Sequence, residues 1–399
     1  MTSKANTRIF IKDCQALSSG DTVTIQGWVH RIRDLGALRF LTLRDRSAII
    51  QVLIDDEALL NASQEIRPEY VLSIVGGLQA KEGSDTEKEL RASSIEVLNS
   101  SETPVFPVNN SEQAVDETLL LEYRYLYLRR PEAIQKLKTR NAITQAIRQV
   151  LIQNEYLEIE TPILTKSTPE GARDFIVPSR MSPGESYALP QSPQLFKQLL
   201  MVSGVERYFQ VAKCFRDEDL RADRQPEFTQ VDLEASFVSE ADLCELAQSL
   251  MKAAVDAAGQ SHRPWSWTTM TYKECMEQYG SDAPDIRYDM KFQSATDQFN
   301  GSSFSVFADI VEKGGCIKAI CIPKGDERLS RKVCDNLLED LKPQGIRGIS
   351  WIHVGAEEIR SPLKKQLSED EFNALLQSLE HETGDSLAIV VHEDPDVLN

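Results

Sequence analysis

The sequence predicts a multidomain α+β protein with a small β-barrel in its N-terminal part. Three observations carry that prediction. Apolar and polar residues alternate in short runs across residues 20–100. An apolar stripe of helical period then runs from Pro131 to about Asn154, and two strand-like runs flank a charged turn at 217–226. Beyond residue 300, short apolar strands and amphipathic helices are mixed. At 399 residues the chain is long enough for two or three domains with separate cores.

The barrel comes first. Thr22–Val29, Leu38–Leu43, Ala48–Ile54, Tyr70–Val75 and Ser94–Leu98 read as five strands, and Asp56–Ile66 reads as a helix between the third and fourth. That order suits an OB-type barrel, a fold often used for single-stranded nucleic acid. Pattern alone does not separate it from another small barrel. Trp28 reads as core.

Residues 101–118 are polar and contain proline, so they read as a linker. Pro131 stands where a helix can start. Ile134, Leu137, Ile143, Ile147, Val150 and Leu151 follow at helical spacing. Tyr156–Glu160 reads as a strand stopped by Pro162. Ala188–Leu200 reads as a turn entering a helix, with Ser192 as cap and Pro193 at the first position. Gln194 and Lys197, three apart, share a face of it. A hairpin follows, with Tyr208–Ala212 and Phe228–Leu233 as its strands. The arginines of its loop suit a polyanion, because guanidinium pairs bidentately with phosphate; a merely solvated charged turn remains open. Near 285–300 the character changes. Phe304–Phe307, Ile317–Ile322, Gly348–Val354 and Leu387–Val391 read as strands, and Leu329–Leu341 and Glu369–Leu379 as helices.

Composition narrows the function classes. No apolar run approaches a membrane span, and MTSKANTRIF lacks the pattern of a signal peptide. Seven scattered cysteines with no CxxC point to a reduced, cytosolic compartment. Five scattered histidines form no metal-ligand spacing. The net charge of −18 opposes nucleic-acid binding, but its distribution does not. Residues 30–46 hold five basic residues against two acids, and residues 121–148 hold seven against two. The last 34 residues hold nine acids and neither lysine nor arginine.

The run FRDEDLRADRQPEFTQ at 215–230 resembles motif 2 of class II aminoacyl-tRNA synthetases, in the form found in the bacterial-type aspartyl-tRNA synthetases. TPEGARDF at 168–175 and QSPQLFKQ at 191–198 resemble that family's amino-acid loops. The helix, strand and proline at 131–162 resemble its motif 1; an ordinary amphipathic helix against a sheet is the rival reading. The resemblance implies an OB-fold anticodon-binding domain at 1–100, the linker at 101–118, and a partial antiparallel-sheet catalytic domain at 119–285. It also implies an inserted α+β (GAD-like) module at 286–399.

The implied activity is aspartate–tRNA ligation: ATP and L-aspartate give aspartyl-adenylate, and the aspartyl group passes to the 3′ end of tRNA(Asp). By resemblance, Arg216 holds the α-phosphate. Asp217, Glu218, Gln225 and Phe228 join it at ATP, with Phe228 under adenine; core packing is the other reading of Phe228. Glu170, Gln194, Lys197, Arg216 and Asp232 surround aspartate. For Asp232, a cross-strand salt bridge is the rival to an ammonium contact. Arg31, Arg33, Phe40, Gln51 and Glu96 meet the anticodon, Phe40 by stacking. Leu35 matches relatives that charge only the aspartate tRNA. A homodimer through motif 1 is implied, as is magnesium alongside ATP.

The family pattern also includes motif 3, a Gly-rich strand with an aspartate-selecting arginine, and magnesium-binding acids. Residues 235–399 contain none of these. The expectation is therefore a C-terminally incomplete chain that turns over slowly by itself. A non-catalytic tRNA-binding protein derived from a synthetase is the alternative. An asparaginyl or lysyl enzyme fits the quoted motifs less well.

Overall fold

The computed structural model describes residues 7–84, 87–110, 113–168, 171–221, 224–262, 266–288, 290–346, 348–392 and 394. The chain divides into two compact units, Met1–Pro264 and Trp265–Asn399.

The first unit opens on a closed barrel. β1 (Arg8–Ile9) runs parallel to β2 (Thr22–Leu35). β2, β3 (Leu38–Arg44) and β4 (Ile49–Ile54) form an antiparallel meander. α1 (Glu57–Ala62) is capped by Asp56, whose carboxylate accepts from the Leu59 amide. β5 (Val71–Ala80) and β6 (Lys88–Asn99) then close the barrel, β5 on β2 and β6 on β4. This is the OB-type order that the alternation predicts. Alternate residues fill the core: Ile25 and Val29, Leu41 and Leu43, Val52 and Ile54, Leu72 and Ile74. Closure brings backbones together at Gly27, where a Cβ would lie 2.3 Å from the Arg44 carbonyl oxygen. β2 runs six residues past the predicted end at Val29. A bulge between Val29 and Arg31 resets its register, so Arg31 and Arg33 stay strand residues on the outer face.

Trp28 departs from the reading as core. It is half-buried, with the Arg129 guanidinium 5.8 Å from its ring centroid. Position 28 falls on the outer side of the barrel, opposite in parity to Val29.

Phe106 and Val108, within the stretch read as linker, bury against Leu126. α2 (Glu117–Glu122) and α3 (Arg124–Tyr127) lead into α4 (Pro131–Gln153), which begins at its proline as predicted. Glu69 ties this segment to the barrel. Its carboxylate accepts two bonds from Arg44, at 3.0 and 2.9 Å, and one from Arg129 at 2.7 Å.

β7 (Leu157–Glu158) pairs with the sheet over only two residues. β8 (Ile176–Pro178) and β9 (Ser186–Ala188) form a short ribbon before α5 (Gln194–Val202). The α5 start differs from expectation. Pro193 occupies the cap position and no side chain caps the helix, so Ser192 does not act as cap. β10 (Arg207–Phe215) and β11 (Glu227–Ala235) pair antiparallel over nine residues each, from Arg207 opposite Ala235 to Phe215 opposite Glu227. α6 (Glu240–Ala257) starts with a Ser239–Asp242 capping box. Leu246 and Leu250 from α6, with Ile147 from α4, pack on Leu151, Tyr156 and Phe209.

The second unit starts with α7 (Tyr272–Tyr279). Its sheet has the order β12 (Phe292–Ser294), β13 (Cys316–Ile322), β16 (Ser386–His392), β14 (Ile349–Val354), β15 (Ile359–Arg360), all antiparallel. α8 (Ser305–Glu312), α9 (Gly325–Arg328), α10 (Arg331–Leu341) and α11 (Glu369–Ser378) complete it. Phe307, Leu375, Ile317 and Leu387 share its core. The strand predicted at Phe304–Phe307 is instead the start of α8. Phe304, Phe307 and Val311 lie on one helical face, and the Phe307 ring meets Phe304 and Phe299 at 4.7 and 4.8 Å. The run FSVF, apolar at Phe304, Val306 and Phe307, is too short to fix the period. Among the described residues no helix is long and apolar enough to cross a membrane.

Candidate functional site

The β10–β11 hairpin fixes the positions of the charged residues after Phe215. The Arg216 amide donates to the Pro226 carbonyl at 2.9 Å, and Arg221 and Arg224 bridge across the loop. This geometry lays the Arg216 guanidinium over the Phe228 ring, 5.2 Å from its centroid. Arg216 has no acidic partner among the described residues. A cavity of about 350 Å³ is lined by Arg216, Glu218, Arg224, Gln225 and Phe228. A second, of about 280 Å³, is lined by Gly171, Ala172, Gln191, Ser192, Arg216 and Glu218. Arg216 and Glu218 therefore stand at the junction of two adjoining hollows. Asp217 is exposed; its amide donates to the Arg173 carbonyl at 3.0 Å.

Beside the hairpin, α5 delivers Lys197 to β11. Its ammonium bonds Asp232 Oδ1 at 3.0 Å and Glu234 Oε2 at 3.2 Å. Both acids point the same way, because residues two apart on a strand share a face. Burial works to lower the Lys197 pKa, but the two carboxylates outweigh it and hold it above the ordinary lysine value. Asp232 is 9% exposed, and its Oδ2 has no hydrogen-bond partner. Its charge acts on its neighbours too. Burial, then the Asp232 carboxylate, push the Cys214 thiol up to about 11, and the same two causes raise Tyr208. Asp232 thus forms a salt bridge, but with Lys197 of α5 and not across the strands, where Gln210 stands opposite it, and one carboxylate oxygen stays unmatched among the described residues. Gln194 is half-buried at the first turn of α5.

A loop joins this site from the opposite side. Phe175 accepts from the Leu189 amide and Pro190 from the Phe215 amide, both at 2.9 Å, which stitches loop, turn and hairpin together. Gln191 and Asp174, neither singled out from the sequence, sit at the stitch. Glu170 lies outside the described residues.

On the barrel, strand register groups most of the predicted RNA contacts. Arg33, Phe40 and Leu53 lie opposite one another across three strands, and Arg31, Thr42 and Gln51 form the next row. Phe40 is half-buried and both arginines are exposed. Arg31 also donates to the Asn109 carbonyl at 2.8 Å. Glu96 does not join them. It faces Ser73 on β5, and the acid that Gln51 meets is Glu89, at 2.6 Å. Glu89 is nearly fully buried, a position that spacing alone could not give. Glu234 and Arg224 were also missed; each lies one strand period or one loop step from a residue that was named.

Among the described residues, no three His, Cys, Asp or Glu side chains converge as a metal site.

Comparison with known proteins gives the same outline. The model of class II tRNA synthetases (D, K and N) matches residues 116–377, and that of the OB-fold nucleic acid binding domain matches residues 23–98. An aspartate–tRNA ligase of Geobacillus kaustophilus is 46% identical over 384 residues, covering 94% of this chain and 65% of its own length. One from Clostridium perfringens is 45% identical, covering 98% and 66%. An aspartate–tRNA(Asp/Asn) ligase of Bacillus subtilis is 45% identical, covering 92% and 64%. The chain thus spans about two thirds of the length of these relatives. In fold it is similar to the asparaginyl-tRNA synthetase of Pyrococcus horikoshii, with a TM-score of 0.62 at 18% identity, covering 96% of this chain and 93% of that one.

Proposed function

The chain belongs to the class II tRNA synthetases that handle aspartate, lysine and asparagine, and on that premise we propose that it works in aspartate–tRNA ligation. It contributes the motif 2 wall of the adenylate-forming site and the barrel that meets tRNA(Asp). The observation that carries the reading is the unpaired Arg216 guanidinium at the junction of two hollows.

In the first step a carboxylate oxygen of aspartate attacks the α-phosphorus of ATP. The bond to the bridging oxygen breaks, and pyrophosphate leaves with its electron pair. The nucleophile is already an anion, so the protein supplies charge and alignment rather than a base. Arg216 meets the α-phosphate. To do so it leaves the Phe228 ring, a cation–π contact of about 0.5–1 kcal/mol at an exposed site. A charge-assisted bond to phosphate contributes about 1.5–3 kcal/mol, so phosphate wins and frees the ring face for adenine. Glu218 and Gln225 border the same hollow. In the second step a ribose hydroxyl at the tRNA 3′ end attacks the mixed anhydride, and AMP departs.

Aspartate recognition falls to Lys197 and Asp232. Lys197, Asp232 and Glu234 together carry a net charge of −1, which favours an ammonium. The unmatched Asp232 Oδ2 accepts it. Lys197 has three donors and uses two, leaving one for the substrate's β-carboxylate. Gln194 shares its helix face. Magnesium, where bound, would neutralise phosphate charge; no step is assigned to it.

The barrel face of Arg31, Arg33, Phe40 and Gln51 meets the anticodon, and stacking on Phe40 contributes about 1–3 kcal/mol. Two copies pair through α4: of its six predicted core residues only Leu151 is buried, and Leu137 is 51% exposed. These substrates belong to the cytoplasm.

The test is ATP–pyrophosphate exchange. Aspartate, and not asparagine, supports it, and Arg216→Ala lowers it by about 10²–10³-fold, the usual cost of one preorganised charge contact. Exchange that ignores aspartate, or is unchanged in the variant, contradicts the proposal. Anticodon stem-loop binding unaffected by Phe40→Ala contradicts the barrel assignment.

A further inference from the structure

We infer that Gln191 is a positioning residue that holds the aspartate-side wall of the site in place. The inference rests on the adenylate-site reading above.

Gln191 uses three of its four hydrogen-bonding positions on one short segment. Its Oε1 accepts from the Ala172 amide at 3.1 Å, and its Nε2 donates to the Ala172 carbonyl at 2.6 Å. The side-chain amide therefore pairs with Ala172 as a neighbouring strand would. The same Nε2 also donates to Asp174 Oδ1 at 2.6 Å. Asp174 in turn closes the base of the loop: its Oδ2 accepts from the Ser167 hydroxyl at 2.7 Å and from the Thr168 amide at 3.2 Å. Burial tends to raise the Asp174 pKa, but the bonds from Gln191, Ser167 and Thr168 prevail and keep it below its ordinary value.

The geometry assigns the residue its role. Gly171 and Ala172 line the smaller hollow, with Arg216 and Glu218 across from them. Gly171 has a left-handed φ of +62°, and the Gln191 oxygen lies 3.4 Å from where its Cβ would be. Apart from the Arg173–Asp217 bridge, no strand pairs with this stretch among the described residues, and the Gln191 amide is the partner of the Ala172 backbone. Gln191 also sits three residues before the first residue of α5, which carries Gln194 and Lys197. One side chain thus couples the loop wall to the helix that supplies the lysine. Three of its four hydrogen-bonding positions are spent on the protein, so its role is to hold the loop and not to touch the reacting atoms.

Two variants and two readouts test this. Gln191→Ala removes the latch. Gln191→Glu keeps the acceptor for the Ala172 amide but places a carboxylate against Asp174. Affinity is measured for a non-hydrolysable sulfamoyl analogue of aspartyl-adenylate, with hydrogen exchange of the Ala172 and Thr168 amides in parallel. Gln191→Ala should speed that exchange and weaken the analogue about tenfold or more, while ATP alone binds as before. Gln191→Glu should bind poorly at neutral pH and recover as pH falls, because the protonated carboxyl can again donate to Asp174. A merely structural role predicts no such recovery. Unchanged exchange in Gln191→Ala, or faster exchange with unchanged affinity, overturns the inference alone. Failure of the unmodified chain to bind the analogue overturns the adenylate reading, and this inference with it.

Discussion

Arg216 and His30 are each set chiefly by a neighbour that is not an acid, an aromatic ring for the first and an arginine for the second. Arg216 rests on the face of Phe228. His30 is almost fully buried, with its Nδ1 3.0 Å from Arg44 Nη1. Burial, then Arg44 and Arg31, lower its pKa below the ordinary value; Glu69 opposes them. The sign follows directly. The unfolded chain takes up the proton near pH 6.5 and the folded chain only at lower pH, so stability declines as pH falls through that interval. Urea unfolding of the barrel should therefore lose midpoint between pH 7 and 5.5, and His30→Gln should flatten the slope. An equal slope in the variant would mean that another group governs it. Single motif residues were legible in the sequence, and the structure forms two separate pairs of them, Arg216 on Phe228 in the hairpin and Lys197 on Asp232 between α5 and β11. Glu89 and Gln191 were not legible, since burial and a side-chain amide acting as a backbone surrogate leave no periodic trace.

Elements were easier to find than to bound. The barrel order and α4 follow from period two and period 3.6 respectively. β2 was cut short because the bulge after Val29 and the outward arginines look like a turn. Phe304–Phe307 was given the wrong period, because a four-residue run with three apolar positions serves a strand or a helix equally well. α4 itself makes a prediction. Most of its stripe is only half-buried and Leu137 is exposed, and the edge strand β11 exposes Val231. Sedimentation at micromolar concentration should find a dimer, and Leu137→Asp should shift it towards monomer. A monomeric parent chain would contradict pairing through this helix.

At the scale of the molecule, the first unit brings two chemistries into one chain. The barrel carries a row of Arg33, Phe40 and Leu53 suited to stacking a base. The hairpin carries the Arg216 cation beside a hollow, and α5 brings Lys197 onto the Asp232 carboxylate of β11. Glu69, held in a left-handed conformation and bonded to both Arg44 and Arg129, pins the barrel to the segment entering α4. The net charge is unevenly spread, with basic residues in excess over acids at 30–46 and 121–148, which is the distribution the proposed function needs of a chain of negative net charge.

The most direct measurement is the affinity of the chain for sulfamoyl aspartyl-adenylate, beside its asparaginyl counterpart, with Arg216→Ala in parallel. The expected result is a clear preference for the aspartyl analogue, because the Lys197 ammonium pairs with a carboxylate and not with an amide. Arg216→Ala should bind it about tenfold or more weakly. Equal affinity for the two analogues, or an Arg216→Ala variant that binds as the parent does, would contradict the account.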